Sequence, residues 1–298
     1  MAPDGDFQVQ FEEPEVKLPW YKTQVTNARN HPLGAFGAFI VVVMVLMALF
    51  AEAVTTFDPV LNNFEVMLTA PGDPYFLGTD QFGRDVYTRI IYGARTALFV
   101  GLTAAFVGSV LGLILGVSSA YFGGKFDLIL QRIMDVFMAF PLIIMALAIV
   151  ATLGPGIENV IIAIIIPFVP QCARVVRSNA LAIREIPYVD AARALGFSDS
   201  RIIMRHMVPN VIAPFLIMAS SFVGHAILTE ASLSYLGMGV QEPTPAWGLM
   251  LQGGAEEYAE SAPWMAIWPG IAISLAVFGF NLFGDALRDI LDPKLRSR

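Results

Sequence analysis

The sequence contains six apolar windows, each about long enough to cross a lipid bilayer as a helix. The windows cover residues 34–54, 96–118, 136–154, 159–176, 211–229 and 265–284. A helix needs about 20 mostly apolar residues to cross the hydrocarbon core, where backbone polar groups find no water to bind. Hydrophobic residues make up 56% of the chain and charged residues only 14%, which is unusual for a soluble domain. The sequence therefore predicts an all-α integral membrane protein with six transmembrane helices.

The positions of the basic residues indicate how these helices are oriented. Fourteen of the 18 lysines and arginines fall in the two tails, between the second and third windows, or between the fourth and fifth windows, and a fifteenth, Arg174, lies at the end of the fourth window on the same side. The other three, Arg84, Arg89 and Arg95, end the first outer loop, and the outer loops are otherwise acidic. Because cytoplasmic loops retain Lys and Arg, we expect both termini and the loop 177–209 to be cytoplasmic.

This orientation divides the chain into successive segments. They are a cytoplasmic tail (1–33), a first transmembrane helix (34–54), an outer loop (55–95), a five-helix core (96–287) that contains loop 177–209, and a cytoplasmic tail (288–298). The first tail carries five carboxylates before its first window, unlike the short basic start of a cleaved signal peptide. We therefore expect the first helix to remain uncleaved.

No predicted helix has a charged residue near its middle, although ion-coupled carriers usually need one. Gly123-Gly124-Lys125 is not a phosphate-binding loop, because Phe126 stands where Ser or Thr is needed. No G-x-S-x-G or H-E-x-x-H motif occurs, and the single Cys172 and three scattered histidines predict no metal site. These features predict a protein without catalytic residues or a bound cofactor. If such a protein moves a solute, the energy for transport comes from another subunit, or the protein is a passive pore.

Other local patterns predict packing. Small residues recur along one face of the second window at Gly101, Gly108, Gly112 and Gly116, which favours close contact with another helix. Prolines that should kink four helices are Pro141, Pro167, Pro170, Pro214 and Pro269. Asp80, Arg84 and Asp85 predict a tight, charge-paired turn before the second helix, and the proline-rich stretch up to Trp247 predicts a structured outer loop.

Loop 177–209 is basic and interrupted by Gly and Pro. Pro187 disfavours helix at the residue before it, and a short helix is expected over 189–195 with Gly196 as its stop. Ser198 is expected to cap a further helix that ends toward Pro209. The short helix, about 10 Å long, is rich in alanine and slim enough to enter a partner's groove. A solvated or membrane-surface helix explains its composition equally well.

This loop resembles the loop shared by the membrane subunits of ATP-binding-cassette (ABC) importers. The family pattern is E-A-A, three residues, Gly, nine residues, I-x-L-P. Here Asp190-Ala191-Ala192, Gly196 and the stretch 206–209 stand at the same intervals, with Asp for Glu, His206 for Ile and Val for Leu. Three further stretches resemble the C-type permease subunit of dipeptide, oligopeptide and nickel importers: FLGTDQFGRDVYTRIIYGARTAL (76–98), DVFMAFPLIIMALAI (135–149) and LSYLGMGVQEPTPAWGLML (233–251).

The resemblance implies a type I ABC importer transmembrane-domain fold and a permease subunit that moves di- or oligopeptides across the cytoplasmic (inner) membrane. In this family the loop forms a coupling helix that sits in a cleft of an ATPase subunit. The residues carried over are Tyr188, Asp190, Ala191, Ala192, Arg193, Ala194, Leu195, Gly196, His206 and Pro209. A bulky or charged residue at Ala192 should then uncouple ATP hydrolysis from transport without preventing insertion.

The implied partners are a homologous second permease subunit, two ATPase subunits that bind ATP and Mg²⁺, and an extracytoplasmic substrate-binding protein. No nucleic acid is expected. Two alternatives remain on the sequence alone: the same architecture could import nickel or another small solute, and a stand-alone carrier or channel would explain six helices without partners. An intramembrane enzyme has no candidate nucleophile and base.

Overall fold

The computed structural model describes Arg29 and residues 31–291, and within them it contains helices and loops but no β-strand. The helices are α1 (Pro32–Leu49), α2 (Ala51–Val54), α3 (Val86–Phe122), α4 (Gly124–Met138), α5 (Leu142–Leu153), α6 (Ile157–Arg184), α7 (Pro187–Ala194), α8 (Asp199–Ile202), α9 (Val208–Tyr235), α10 (Trp247–Glu256) and α11 (Trp264–Leu291), with a 3₁₀ turn at Phe64–Val66 and a π turn at Ile203–Met207. Most of the predicted tails, 1–33 and 288–298, lies outside the described residues.

Five stretches of these residues are long and apolar enough to cross a membrane: α1, α3, α6, the helical run Asp199–Tyr235, and α11. The predicted window 136–154 is not one straight helix. It covers the end of α4 and all of α5, which are bent by 88° relative to each other, so the described chain has six spans only when this pair counts as one. Pro141 stands at the N-cap of α5. Helix α4 cannot continue through it, because proline has no backbone N–H to donate and disfavours the helical conformation of the residue before it.

The other four prolines lie inside α6, α9 and α11, which continue through them. Helix α3 begins ten residues before the predicted window 96–118 because Asp85 caps it. The Asp85 carboxylate accepts hydrogen bonds from the backbone N–H of Thr88 at 2.8 Å and from its hydroxyl at 2.6 Å, which satisfies a free donor of the first turn.

The glycine face of α3 packs as predicted. A Cβ at Gly112 would lie 2.6 Å from the Cβ of Cys172 on α6, and one at Gly116 would lie 2.5 Å from the carbonyl oxygen of Ala173. A Cβ at Gly101 would lie 2.8 Å from Cγ1 of Ile227 on α9. Small residues here allow the backbones of three long helices to approach one another, and this contact is the centre of the bundle.

The bundle has two ends. At the α7 end lie the last turns of α3 and α6, helices α7 and α8, and the start of α9. At the opposite end, which we call the Arg84 end, residues 55–85 and 236–263 cover the start of α3. Trp247 donates from its indole nitrogen to the Ile90 carbonyl at 2.9 Å, and Thr96 donates to the Pro245 carbonyl at 2.8 Å, so the proline-rich stretch is an ordered part of the fold, as predicted.

Candidate functional site

Helix α7 is delimited by the two residues that the sequence singled out. Ile186, before Pro187, is extended with φ −80° and ψ 134°. At the other end Gly196 has φ +74°. Its N–H donates to the Arg193 carbonyl at 2.9 Å, and the N–H of Phe197 donates to the Ala192 carbonyl at 3.1 Å. These two bonds form a Schellman motif, in which a left-handed glycine closes the helix.

The two faces of α7 have different surroundings. Val189 is fully buried and Ala192 is only 4% exposed, and both belong to the main apolar core. They stand three residues apart and therefore share one helix face. The exposed side chains are Tyr188, Asp190, Ala191, Arg193, Ala194 and Leu195, with Leu195 74% exposed. Ala192 thus faces the rest of its own chain, whereas its neighbour Ala191 faces outward.

Tyr188 links the start of α7 to the start of α9. Its hydroxyl donates to the carbonyl of His206 at 3.1 Å and accepts from the side-chain amide of Asn210, also at 3.1 Å. The same amide donates to the His206 carbonyl at 2.7 Å. The ring of His206 lies nearly parallel to that of Phe197, with centroids 6.2 Å apart. His206, one of the three departures from the family pattern, therefore packs beside residues at both ends of the short helix, Tyr188 and Phe197.

The helix expected to end toward Pro209 does not end there. Residues Asp199–Tyr235 form one helical run in which a single π turn, Ile203–Met207, separates α8 from α9. Pro209 lies in the first turn of α9, where its missing N–H has the smallest cost. In a regular α-helix the ring of Pro209 would clash with the carbonyl one turn earlier. The π turn, which is wider than an α turn, lies immediately before this position. Ser198 stands at the predicted N-cap of α8, but its side chain makes no capping hydrogen bond.

The last turn of α3 touches both short helices. The Tyr121 hydroxyl donates to the Asp199 carboxylate at 2.6 Å, and the Arg193 guanidinium lies over the Tyr121 ring, 5.0 Å from its centroid. Tyr121 is 6% exposed. No local pattern in the sequence marks Tyr121, Asp199 or Asn210 as part of this site, and Tyr121 is far from the loop in the chain.

Two arginines of α6 fasten the α3–α4 hairpin at the same end. Arg177 donates from Nε and Nη2 to the two oxygens of Asp127, at 2.6 and 2.5 Å, a bidentate geometry that is stronger than a single contact. Arg184 donates to the Ala120 carbonyl at 2.9 Å. Helix α7 is therefore not part of a free loop. It lies among ends of α3, α6 and α9 that are held together by hydrogen bonds.

At the Arg84 end, the predicted charge-paired turn is present. It is also paired with Glu242, which is distant in the sequence. Arg84 donates from Nε to Asp80 at 2.7 Å and from Nη1 to Glu242 at 2.6 Å. Arg89, 1% exposed, lies 3.5 Å from the same Glu242. Burial alone would lower the pKa of Arg84, but the hydrogen bond with Glu242 and the charge of Asp80 outweigh it, so that this pKa is raised. The motifs 76–98 and 233–251 thus form one ion-paired unit.

Within residues 31–291 no group of three or more His, Cys, Asp or Glu is placed to hold a metal ion. The two clusters of functional interest are therefore the anchored helix α7 and the ion-paired unit at the Arg84 end. The first presents an exposed apolar face beside charged residues, and the second fixes two loops across the top of α3.

A family model described as "Binding-protein-dependent transport system inner membrane component" matches residues 108–297. A putative peptide transport system permease protein of Brucella abortus is 44% identical over 90% of both chains. The dipeptide transport system permease protein DppC of Alkalihalophilus pseudofirmus is 42% identical, over 94% of this chain and 91% of that protein. The glutathione transport system permease protein GsiD of Pectobacterium atrosepticum is 38% identical, over 95% and 93%.

Among solved structures, a chain of the MetNI methionine ABC transporter in an inward-facing conformation superposes with a TM-score of 0.51. The match covers 67% of this chain and 96% of that chain, at 20% identity. At this identity the likeness concerns the fold alone, and the fold is that of an ABC importer membrane subunit.

Proposed function

We propose, from the premise that the chain belongs to the family of binding-protein-dependent transport system inner membrane components, that this permease subunit carries di- or oligopeptides into the cell. The observation that carries the substrate class is the identity of 44% and 42% to permeases named for peptide and dipeptide transport. A relative named for glutathione is 38% identical. The alternatives, import of nickel and a stand-alone carrier, are not favoured by these relatives.

The exposed face of α7 is proposed to dock into a cleft of an ATPase subunit. Ala191 and Ala194 keep that face narrow, Leu195 supplies apolar area, and Asp190 supplies a charge at its edge. A short helix laid in a groove is a recurrent recognition mode. Burial of Val189 and Ala192 on the opposite side supports the assignment, because it holds the docking face outward.

Transmission from α7 to the transmembrane helices follows from its anchors. The contacts of Tyr121 with Asp199 and Arg193 lead into α3, and those of Tyr188 with His206 and Asn210 lead into α9. When ATP closes the two ATPase subunits, α7 moves with the cleft that holds it. Packed helices respond to such a push as rigid bodies, since close packing leaves little room for gradual deformation.

The orientation proposed with this mechanism places both termini and the α7 end in the cytoplasm, where Lys and Arg are concentrated. The Arg84 end then faces the substrate-binding protein. The full assembly is proposed to contain this chain, a homologous second permease subunit, two ATPase subunits that bind ATP and Mg²⁺, and the binding protein. This chain contributes no catalytic residue to ATP hydrolysis.

Purification from native membranes in mild detergent, followed by reconstitution into liposomes, tests the proposal. The chain should co-purify with ATPase subunits, and uptake of a radiolabelled dipeptide should require ATP inside the liposomes and the binding protein outside. Unlabelled dipeptide should compete, whereas Ni²⁺ should not. Solute uptake by the purified chain alone under an ion gradient would contradict the importer model, and competition by Ni²⁺ without competition by peptide would overturn the substrate class.

A further inference from the structure

Helix α9 carries a histidine on an exposed face at membrane depth. His225 is exposed and lies about 15 Å before the end of α9 at Tyr235. A helix of 28 residues is about 42 Å long, so each end of a centred helix extends about 6 Å beyond a hydrocarbon core of about 30 Å. The ring therefore lies about 9 Å inside the core, where an ionisable side chain is costly unless it faces protein or a water-filled cavity.

The hydrogen bonding of the His225 ring determines what it can offer to a ligand. Its Nδ1 lies 3.3 Å from the carbonyl oxygen of Ser221, one turn earlier. Because a carbonyl oxygen only accepts, Nδ1 carries the proton of the neutral ring, and Nε2 keeps a lone pair. Within the described part of the chain no donor reaches this lone pair. His225 thus presents an unused acceptor at a depth where the acyl chains of lipids have no N–H or O–H group to donate.

The face of α9 that carries His225 is polar on both sides of this residue. Ser221 precedes His225 by four residues and Ser232 follows it by seven, so the three lie on one side of the helix. Both serines are partly exposed. Toward the Arg84 end, a cleft of about 320 Å³ opens among α9, α10 and α11, and its walls include Ser232, Tyr235 and Ile273. This face is therefore concave, and it continues to the end of the bundle.

Helix α11 adds polar groups beside this face. Ser274 and Asp285 are exposed and Asn281 is partly exposed, and their intervals of seven and four residues place them on one side of α11. A Cβ at Gly224, next to His225, would lie 3.1 Å from Oδ1 of Asn281, so that side of α11 borders the polar face of α9. We call the combined surface the α9–α11 seam. It consists of Ser221, His225, Ser232, Ser274, Asn281 and Asp285.

The exposed side of α3 at the same depth has a different chemistry. A Cβ at Gly101 would lie 2.8 Å from Cγ1 of Ile227, which places Gly101 near the level of His225. The exposed side chains around Gly101 are Phe99, Leu102, Phe106 and Val107. All four are apolar, which suits contact with lipid. The seam, with its histidine, asparagine and serines, is suited to water and to a polar solute.

From these observations we propose that the α9–α11 seam lines the path of the solute, and that Nε2 of His225 accepts a hydrogen bond from an N–H group of the peptide. A peptide supplies such donors at its ammonium group and at its amide nitrogens. The homologous second permease subunit covers the seam and separates it from lipid. The peptide as ligand rests on the proposed function, whereas the exposure of the seam to water does not.

Reaction with a charged thiol reagent tests the exposure of the seam to water. In the reconstituted transporter, His225→Cys should react with 2-sulfonatoethyl methanethiosulfonate about tenfold faster than Leu102→Cys, because the reactive thiolate forms in water and not in lipid. Leu102→Cys is the matched control at the same depth, on the apolar side of α3. The native Cys172 is fully buried and should not react. Equal rates for the two variants overturn the path, since lipid or a protein surface would then cover both positions.

The acceptor is tested by dipeptide uptake with His225→Leu and His225→Gln. Leucine has no acceptor and should lower kcat/KM about threefold to tenfold, the effect of one hydrogen bond. Glutamine, whose side-chain carbonyl accepts, should stay within about twofold of wild type, as should the control Leu102→Ala. An unchanged kcat/KM in His225→Leu overturns the assigned acceptor. Rapid labelling of His225→Cys without any dipeptide uptake by the wild type would support the path and contradict the peptide as its solute.

Discussion

Tyr121, the penultimate residue of α3, donates a 2.6 Å hydrogen bond to Asp199, the first residue of α8, 78 positions later in the chain. Together with the stacking of Arg193 on the Tyr121 ring, this bond ties a long transmembrane helix to both short helices of the loop.

Tyr121→Phe should reduce coupling while leaving the fold intact. The ring and its contact with Arg193 are kept, and one hydrogen bond to a carboxylate is lost, at a cost of about 1.5–3 kcal/mol. We expect the number of peptides imported per ATP hydrolysed to fall about threefold to tenfold in proteoliposomes. Tyr87→Phe, at the opposite end of α3, is the control. A variant Tyr121→Phe with an unchanged transport ratio would contradict the role given to this bond.

Substitutions at Ala191 and Ala192 should separate docking from folding. Ala191→Leu extends the exposed face of α7 and should weaken recovery of the ATPase subunits in a pull-down with little change in Tm. Ala192→Leu adds three carbons at a site only 4% exposed and should destabilise the chain by about 1–3 kcal/mol through overpacking. The resemblance had assigned the uncoupling effect to Ala192, but its burial against its own chain makes Ala191 the residue of the pair that tests docking. Equal thermal shifts for the two variants would contradict it.

Gly196→Ala tests the end of α7 without any steric complication. No atom lies within 4 Å of a Cβ added there, so the cost arises only from φ +74° and should be about 1–2 kcal/mol. Hydrogen exchange of residues 187–197 should become faster. Gly196→Asn is the matched control, since asparagine adopts this conformation more readily, and it should retain most of the protection. Equal exchange in both variants would show that the Schellman motif does not hold the loop.

Glu242→Gln should destabilise the Arg84 end, because it removes the charge that Arg84 and the buried Arg89 share. We expect a loss of about 1.5–3 kcal/mol, the range for hydrogen bonds to charged groups, measured by thermal unfolding of the purified complex. Glu257→Gln, an exposed residue on the same side, should change stability by less than about 0.5 kcal/mol. The prediction fails when both variants unfold at the same temperature.

The raised pKa of Arg84 also sets how this unit responds to pH. The guanidinium stays protonated throughout the range in which the transporter is handled, so it contributes no loss of stability as the pH rises from 6 to 9. We therefore expect the Tm difference between wild type and Glu242→Gln to stay constant over that range. A difference that shrinks steadily toward pH 9 would contradict a permanently charged Arg84.

Features of periodicity and local backbone chemistry were predictable from the sequence. Apolar length marks the spans because a bilayer has one thickness, and Pro187 and Gly196 mark the ends of α7 because their φ preferences act within one or two residues. The glycine face of α3 predicted a close helix contact because small residues recur along one face of the helix. The kink predicted at Pro141 is confirmed, but a proline does not specify its angle, and the 88° bend divides the window 136–154 between two helices.

The contacts that join these elements to one another involve residues that are distant in the chain. Tyr121 meets Asp199, and Glu242 meets Arg84 from 158 positions away, and neither pairing leaves a signal in local spacing. The inward direction of Ala192 likewise depends on which helices become neighbours. The sequence by itself determined the membrane class, the spans and the short helix of the loop, because these follow from length, period and dihedral preference. Only the tertiary structure decided which faces meet, because packing is a property of pairs of surfaces brought together by the whole fold.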